Sequence, residues 1–251
     1  MSLASSSSKD GPHRRETPSP PPLIAVVGCD GSGKSTVTEL LRDWLARDRT
    51  VQLCHLGKQS GNVGRAIGRL PLLGGRMETT LYQKAKAADT EKGPGLPAAL
   101  VIYAFTLRRA RRFRRMMRLR RTGAAIIADR FPQVEAPGPM DGPGLSKARP
   151  TGLVGWLARR ERCLFDAMVA QRPDLVIRLN VSLPVAMARK PDHRAASLAR
   201  KIDTLPLLRF QGAPIIDIDA DQPLALVVRQ AQAAIARLLA SRGDAAVPDP
   251  G

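Results

Sequence analysis

Nine consecutive residues, Gly28 to Thr36, read GCDGSGKST. Their types and spacing fit the pattern G-x-x-x-x-G-K-[S/T], whose glycines turn the backbone tightly and aim successive N–H groups inward. Such a loop cradles phosphate oxygens on the main chain, and the helix that follows adds its positive end. Lys34 would then neutralise the outer phosphates, Ser35 would offer a hydroxyl to Mg²⁺, and Thr36 would sit in the first helical turn. Gly28, Asp30, Gly31, Ser32, Gly33, Lys34, Ser35 and Thr36 thus form the expected ATP-binding set. Cys29 fits as a small loop residue whose thiol, beside a helix N-terminus, is open to a lowered pKa.

A second group with chemical potential lies a hundred residues on, where the apolar run Ala124 to Ala128 ends in Asp129-Arg130-Phe131. An acid at the carboxyl end of a parallel strand lies beside the phosphate loop in such sheets, where Asp129 would hold Mg²⁺ or its water shell and Arg130 would meet phosphate. Ahead of that strand, RRARRFRRMMRLRR (Arg108 to Arg121) carries nine arginines in fourteen residues. Three readings stand side by side: a solvated amphipathic helix with Ala110, Phe113 and Met117 turned to the core, a surface for nucleic acid or an acidic membrane, or a helix start that clamps a substrate phosphate. A third basic group, Arg189, Lys190, Arg194, Arg200 and Lys201, surrounds Pro191 and His193, on a segment suited either to close over transferring phosphates or to stay a charged surface. His13, His55 and His193 are scattered and suggest neither a triad nor a metal site.

The elements that must position these groups follow from periodicity. Strands are expected at Leu23 to Val27, Val51 to Leu56, Ala124 to Ala128, Leu175 to Leu179 and Pro214 to Ile218, separated mostly by segments long enough for a helix. The first of these is Val37 to Arg47 and the last runs from about Gln222 to Ala240. Alternation of this kind makes a five-stranded parallel sheet with helices on both faces, an α/β three-layer sandwich of P-loop NTPase type. Residues 1–22, Ser- and Pro-rich, read as a disordered tail, 23–240 as the catalytic domain and 241–251 as a frayed end. The Gly- and Pro-rich stretches Gly57 to Gly75 and Phe131 to Thr151 read as functional or mobile loops.

Composition narrows the class. The chain has 251 residues, 43% of them hydrophobic, enough for one good core. A net charge of +18 implies an anionic partner without choosing which. Three scattered cysteines indicate neither a disulfide framework nor zinc. No apolar stretch approaches a membrane span, and the expectation is a cytoplasmic protein.

Over about Leu23 to Leu239 the chain resembles the thymidylate kinases, a family of nucleoside monophosphate kinases. The loop carries an acid at its third position, Asp30, where that family contacts the acceptor sugar. Phe105-Thr106-Leu107-Arg108-Arg109 is similar to the family's helical F-x-x-x-R segment. Gly123 with Asp129-Arg130-Phe131 matches its G-x-x-x-x-x-D-R-[Y/F/H] strand. The resemblance implies that Phe105 stacks on the acceptor base, that Arg109 binds the acceptor phosphate, and that Asp30, Arg130 and Lys34 surround the reacting centre. The loop has no internal arginine, so Lys190, Arg194 or their neighbours in the lid would supply that charge. After Phe131 the chain reads PQVEAPGPMDGPGLSKARP, with no tyrosine and none of the family's nucleoside-reading residues.

The expected activity is transfer of the γ-phosphoryl of ATP, with Mg²⁺, to a nucleoside monophosphate, dTMP leading. The alternatives are a P-loop kinase of another nucleoside, a phosphosugar or a small metabolite, and a nucleic-acid-binding ATPase using the Arg108–Arg121 helix, which the 4% aromatic content disfavours. Homodimer formation stays open.

Overall fold

The computed structural model describes residues 19–57, 93–138, 140–148 and 151–244. Five strands, β1 (Leu23–Gly28), β2 (Val51–His55), β3 (Ala125–Asp129), β4 (Leu175–Asn180) and β5 (Ile215–Asp219), form one parallel sheet in the order β2-β3-β1-β4-β5. Each falls within one residue of the span its apolar run predicts. The long runs come from burial on both faces, as a parallel sheet under two helical layers demands. In β1, Ile24 and Val26 face one layer while Leu23, Ala25 and Val27 face the other.

On the first face lie α1 (Lys34–Leu45) and the last helix, α6 (Leu224–Ser241), which pack Val37, Leu41, Trp44, Ile235 and Leu239 onto the sheet. On the second lie α2 (Leu96–Arg121) and α3 (Gly152–Val169), through Phe113, Met116, Phe165 and Met168. Two shorter helices, α4 (Leu183–Arg189) and α5 (Ala195–Thr204), follow β4. With 18 residues and a mean hydropathy of 1.2, α6 meets the length and composition of a membrane span, contrary to the expectation that no stretch approaches one. It buries Val227, Ala231, Ile235 and Leu239 as a core helix does.

The core face of α2 is wider than the expected one, since Met116 joins Ala110, Phe113 and Met117 on it. Thr106, Arg109, Ala110, Phe113 and Met116 are buried, and Met117 is only half-buried. Thr106, Arg109, Phe113 and Met116 follow one another at a 3-4-3 spacing, and Met117 lies on the same side of the helix as Thr106 and Ala110, packed against the same cluster.

Of the expected tails, residues 1–18 and 245–251 lie outside the described residues, and the described residues beside them are held by contacts. Asp174 accepts from the Leu23 amide and from Arg120 Nη2, each at 2.7 Å, and pairs with Arg242 Nη1 at 3.0 Å. Arg120 Nε also donates to Pro21 O at 2.6 Å, and Arg242 donates to Pro20 O. Residues 20–22 are therefore clasped, not free. At the other end Ser241 closes α6 and Asp244 binds Arg49 at 3.1 Å. An open hollow at this amino-terminal edge of the sheet, lined by Arg172, Asp174, Gln211 and Arg242, lies away from the phosphate loop.

Residues 131–138 and 140–148 have little regular structure, yet they are packed. Glu161 of α3, 1% exposed, accepts from Thr106 Oγ1 at 2.8 Å and from the amides of Gly144 and Leu145 at 3.1 and 2.6 Å. Gln133 bonds Ala136 and Met140 O, and Glu135 accepts from the amides of Arg209, Phe210 and Gln211. Of the other long stretch, Gly57 to Gly75, all but Gly57 lies outside the described residues.

Candidate active site

The turn between β1 and α1 is made by glycines with positive φ, Gly31 at 89° and Gly33 at 82°. A Cβ at Gly31 would meet Ala186 O at 2.9 Å, so glycine is also needed for the close approach of α4. The Ser32 amide and hydroxyl both close onto Cys29 O, at 3.3 and 3.0 Å. Lys34, Ser35 and Thr36 occupy the first turn of α1, whose amides have no partner within the helix and point into the loop. Ser35 and Thr36 are exposed there.

Lys34 is buried and turns back to donate to Cys29 O at 2.5 Å. Burial pushes its ammonium down, Arg130 adds to that, and Asp129 and Asp30 oppose it. A buried cation of this kind, held by one carbonyl, is relieved by a nearby anion. Burial also raises the Cys29 thiol, outweighing Lys34, so the lowered pKa open to a thiol at a helix N-terminus is not found.

Asp129 ends β3 at 5% exposure. His55 Nδ1–H donates to its Oδ2 at 2.7 Å, while Oδ1 is buried without a partner. Burial works against its ionisation, but His55, Lys34 and Arg130 together hold its carboxyl below the usual range. A buried carboxylate oxygen left unpaired is costly. Its place beside Lys34 and Arg130 at the loop fits the water shell of Mg²⁺, a cation that keeps its waters and takes few protein ligands.

The next residue, Arg130, has φ 59°, a left-handed conformation uncommon for a bulky side chain and frequent at functional sites. It brings the guanidinium back to Asp30, Nη2 to Oδ1 at 3.0 Å. The side chain lies over Gly57, where a Cβ would stand 2.2 Å from Arg130 Cδ and 2.9 Å from His55 Nε2. Asp30 is the hub: Lys201 of α5 donates to its Oδ2, and His193 Nε2 stands 3.8 Å from the same oxygen. Burial opposes ionisation here too, yet Lys201, Arg130 and Lys34 hold the Asp30 carboxyl far below the ordinary carboxylate value. Arg189 completes the contact of this segment with the loop, donating to Gly31 O at 3.2 Å and Ala220 O at 3.0 Å.

The structure thus brings together Gly28, Asp30, Gly31, Ser32, Gly33, Lys34, Asp129 and Arg130. It places the other expected residues differently. Lys190 and Arg194 are exposed and make none of the contacts with the loop that Lys201, Arg189 and His193 make. Arg109 is 3% exposed, donates to Asp141 O and Oδ1 at 2.7 and 2.5 Å, and lies over the Phe165 ring at 5.7 Å. A small cavity beside the loop is lined by Gly28, Lys34, Arg130, Phe131, Met140 and Asp141. Arg109 therefore reaches the site through Asp141. Phe105 is half-buried outside the core clusters. The sequence assigns His55, Gly57 and Asp141 no individual role in the site. For His55 the missing information is the register that sets it opposite Asp129, whereas Asp141 was readable as one of only two acids in the stretch after Phe131.

No family model matches the chain. Individual proteins do. It is 42% identical over 219 residues to the uncharacterized ATP-binding protein YghR of Escherichia coli, an alignment covering 86% of this chain and 87% of the relative. To the uncharacterized ATP-binding protein YghS of the same organism it is 43% identical over 209 residues, 80% of this chain and 86% of that one. The chain belongs to the YghR/YghS family. A more distant similarity links this family member to a protein named probable thymidylate kinase from Pyrobaculum aerophilum, 28% identical over 204 residues, 78% of this chain and 87% of the other.

Proposed function

We propose that the protein is an ATP-dependent phosphotransferase that binds ATP on the Gly28–Thr36 loop and passes the γ-phosphoryl to an acceptor held beside Asp30 and Arg130. The observation that carries this reading is the convergence of the buried Lys34, the orphaned Asp129 Oδ1 and the Asp30–Arg130 pair on one side of the loop. The printed names of YghR and YghS support the ATP half of the reading.

In this reading the loop amides and Lys34 bind the β- and γ-phosphates, and Lys34 exchanges its Cys29 carbonyl for phosphate oxygen. Ser35 and Asp129 hold Mg²⁺, which when bound neutralises developing negative charge on the phosphoryl oxygens. His55 keeps the Asp129 carboxylate oriented. Arg130 lies between Asp30 and the acceptor, where it meets the transferring group, and Lys201, Arg189 and His193 close α4 and α5 over the loop to exclude water. Catalysis is positioning with charge neutralisation, since phosphoryl transfer asks little covalent chemistry of the protein.

A nucleoside monophosphate, with dTMP first, is the acceptor favoured by the resemblance in the loop and the Asp129-Arg130-Phe131 strand and by the name of the Pyrobaculum relative. One observation favours a different acceptor, another nucleoside, a phosphosugar or a small metabolite: Arg109 donates to Asp141 and not into open space. Incubation of the purified protein with γ-labelled ATP and a panel of monophosphates, nucleosides and sugar phosphates, read by chromatography, tests both. Transfer to dTMP above all others supports the first reading, and transfer only to a non-nucleotide supports the second. ATP turnover with no acceptor in any class refutes the phosphotransferase reading.

A further inference from the structure

Helix α2 has an outward face that no other described element covers. Pro97, Val101, Ala104, Arg108, Arg111, Arg115 and Arg118 are all exposed and follow one another at intervals of three or four along the helix, with the exposed Leu100 flanking Val101. The first half of that line is apolar and the second half is basic. Six arginines, Arg108, Arg111, Arg114, Arg115, Arg118 and Arg121, are exposed and have no hydrogen-bond or ion-pair partner among the described residues. They span about 20 Å at the rise of an α-helix, and α2 contains no acid. By contrast Arg109, Arg112 and Arg120 are engaged, with Asp141, with Gly57 O and with Asp174.

Helix α3 extends the apolar half. It runs beside α2 in the same direction, as Tyr103 against Trp156, Thr106 against Glu161 and Arg109 against Phe165 show in succession. Its first turns expose Leu153 at 53% and Trp156 at 45%, and α2 exposes Leu100 at 48% and Val101 at 41% within one turn of Tyr103, whose ring lies 6.5 Å from that of Trp156. Arg160 stacks on the Trp156 ring at 5.6 Å. An aliphatic patch edged by a tryptophan and continued by unpaired arginines matches the depth profile of a bilayer surface, with apolar groups among the acyl chains, indole at the interface and guanidinium groups on the phosphates.

We propose that the outer face of α2, with the first turns of α3, docks the protein on an anionic phospholipid bilayer. A nucleic-acid backbone would satisfy the arginines but leaves Leu100, Val101 and Leu153 without a partner, and the chain has few aromatics for base stacking. A second copy docked through the same face would bring the two arginine sets together, a like-charge contact. The membrane surface satisfies both halves of the face. The phosphate loop lies at the carboxyl end of the sheet, so docking through α2 adds a location to whatever chemistry that loop performs.

The test is co-sedimentation of the full chain with vesicles of phosphatidylcholine alone, or mixed with phosphatidylglycerol, alongside Trp156 emission. The other tryptophan, Trp44, is 3% exposed in the core and serves as an unchanging background. The wild-type chain is expected to partition onto the mixed vesicles and not the neutral ones, with a blue shift that Trp156→Phe removes. Each arginine at the surface contributes roughly fivefold to partitioning, so Arg111→Ala, Arg115→Ala and Arg118→Ala combined lower it on the order of a hundredfold. Leu100→Ser lowers it too, without altering the circular dichroism. Failure to partition, or partitioning that the triple variant leaves unchanged, overturns the proposal. Tight binding of single-stranded RNA that Leu100→Ser does not affect, with no binding to vesicles, reassigns the face to nucleic acid. A dimer that Leu100→Ser splits, again with no vesicle binding, reassigns it to self-association.

Discussion

Replacing Lys201 by alanine separates what the tertiary structure assigns from what the sequence pattern suggests. Lys201 is the contact between α5 and the phosphate loop, its ammonium on Asp30 Oδ2 with 25% of the side chain exposed. A charge-assisted hydrogen bond contributes roughly 1.5 to 3 kcal/mol when well buried. Here partial exposure screens it, and Arg130 stays on the other carboxylate oxygen at 3.0 Å, so Asp30 is not stranded. The expected loss is therefore about 1 to 2 kcal/mol, a fall in Tm of about 2 to 8 °C for a chain of this size. If α4 and α5 close over the transferring phosphoryl group, kcat falls about tenfold or more while the KM for ATP changes little. Differential scanning fluorimetry and initial-rate kinetics measure the two effects. A double-mutant cycle with Asp30→Asn isolates the pair, with an expected coupling of about 1 kcal/mol. Lys190→Ala and Arg194→Ala, both exposed and without a contact to the loop, serve as controls and leave Tm unchanged. Equal effects at Lys201 and Arg194, or none at Lys201, would refute the assignment of the lid contact to α5.

Lys34→Ala removes phosphoryl transfer while raising or preserving Tm, because it deletes a buried cation held by one carbonyl; turnover near wild type in the assay with labelled ATP contradicts its placement. Asp129→Asn shifts the Mg²⁺ requirement at least tenfold upward, read from rate against Mg²⁺ concentration, and an unchanged requirement removes Asp129 from the cation. Asp30 and Asp129 are both held below their ordinary values. The unfolded chain then binds more protons than the folded one as pH drops below about 4, the stability these acids add is complete above that point, and it is lost on acidification. Urea midpoints measured from pH 7 down to about pH 3 should show this acid limb, and Asp30→Asn should make it shallower.

The sequence by itself determined the phosphate loop, the five strands and the Asp129-Arg130 pair at a strand end. These are encoded locally: glycines at fixed offsets set a backbone path whatever surrounds it, and a strand buried on both faces must be apolar throughout. Periodicity places Ala110, Phe113 and Met117 toward the core, but that Met116 is the more deeply buried of the two methionines is settled by what packs opposite. Tertiary structure decided which charges meet. His55 reaches Asp129 only because β2 and β3 pair in the register His55 to Asp129. Lys201 and not Arg194 reaches Asp30 because α5 begins at Ala195 and carries residue 201 back toward the loop after almost two turns. Arg109 turned inward onto Asp141 because a buried guanidinium must find an acceptor, and the packed 140–148 segment presented one. Spacing along a chain can nominate basic residues by the dozen, but the distance between opposite charges is a property of the folded molecule, and Coulomb attraction and desolvation act on that distance alone.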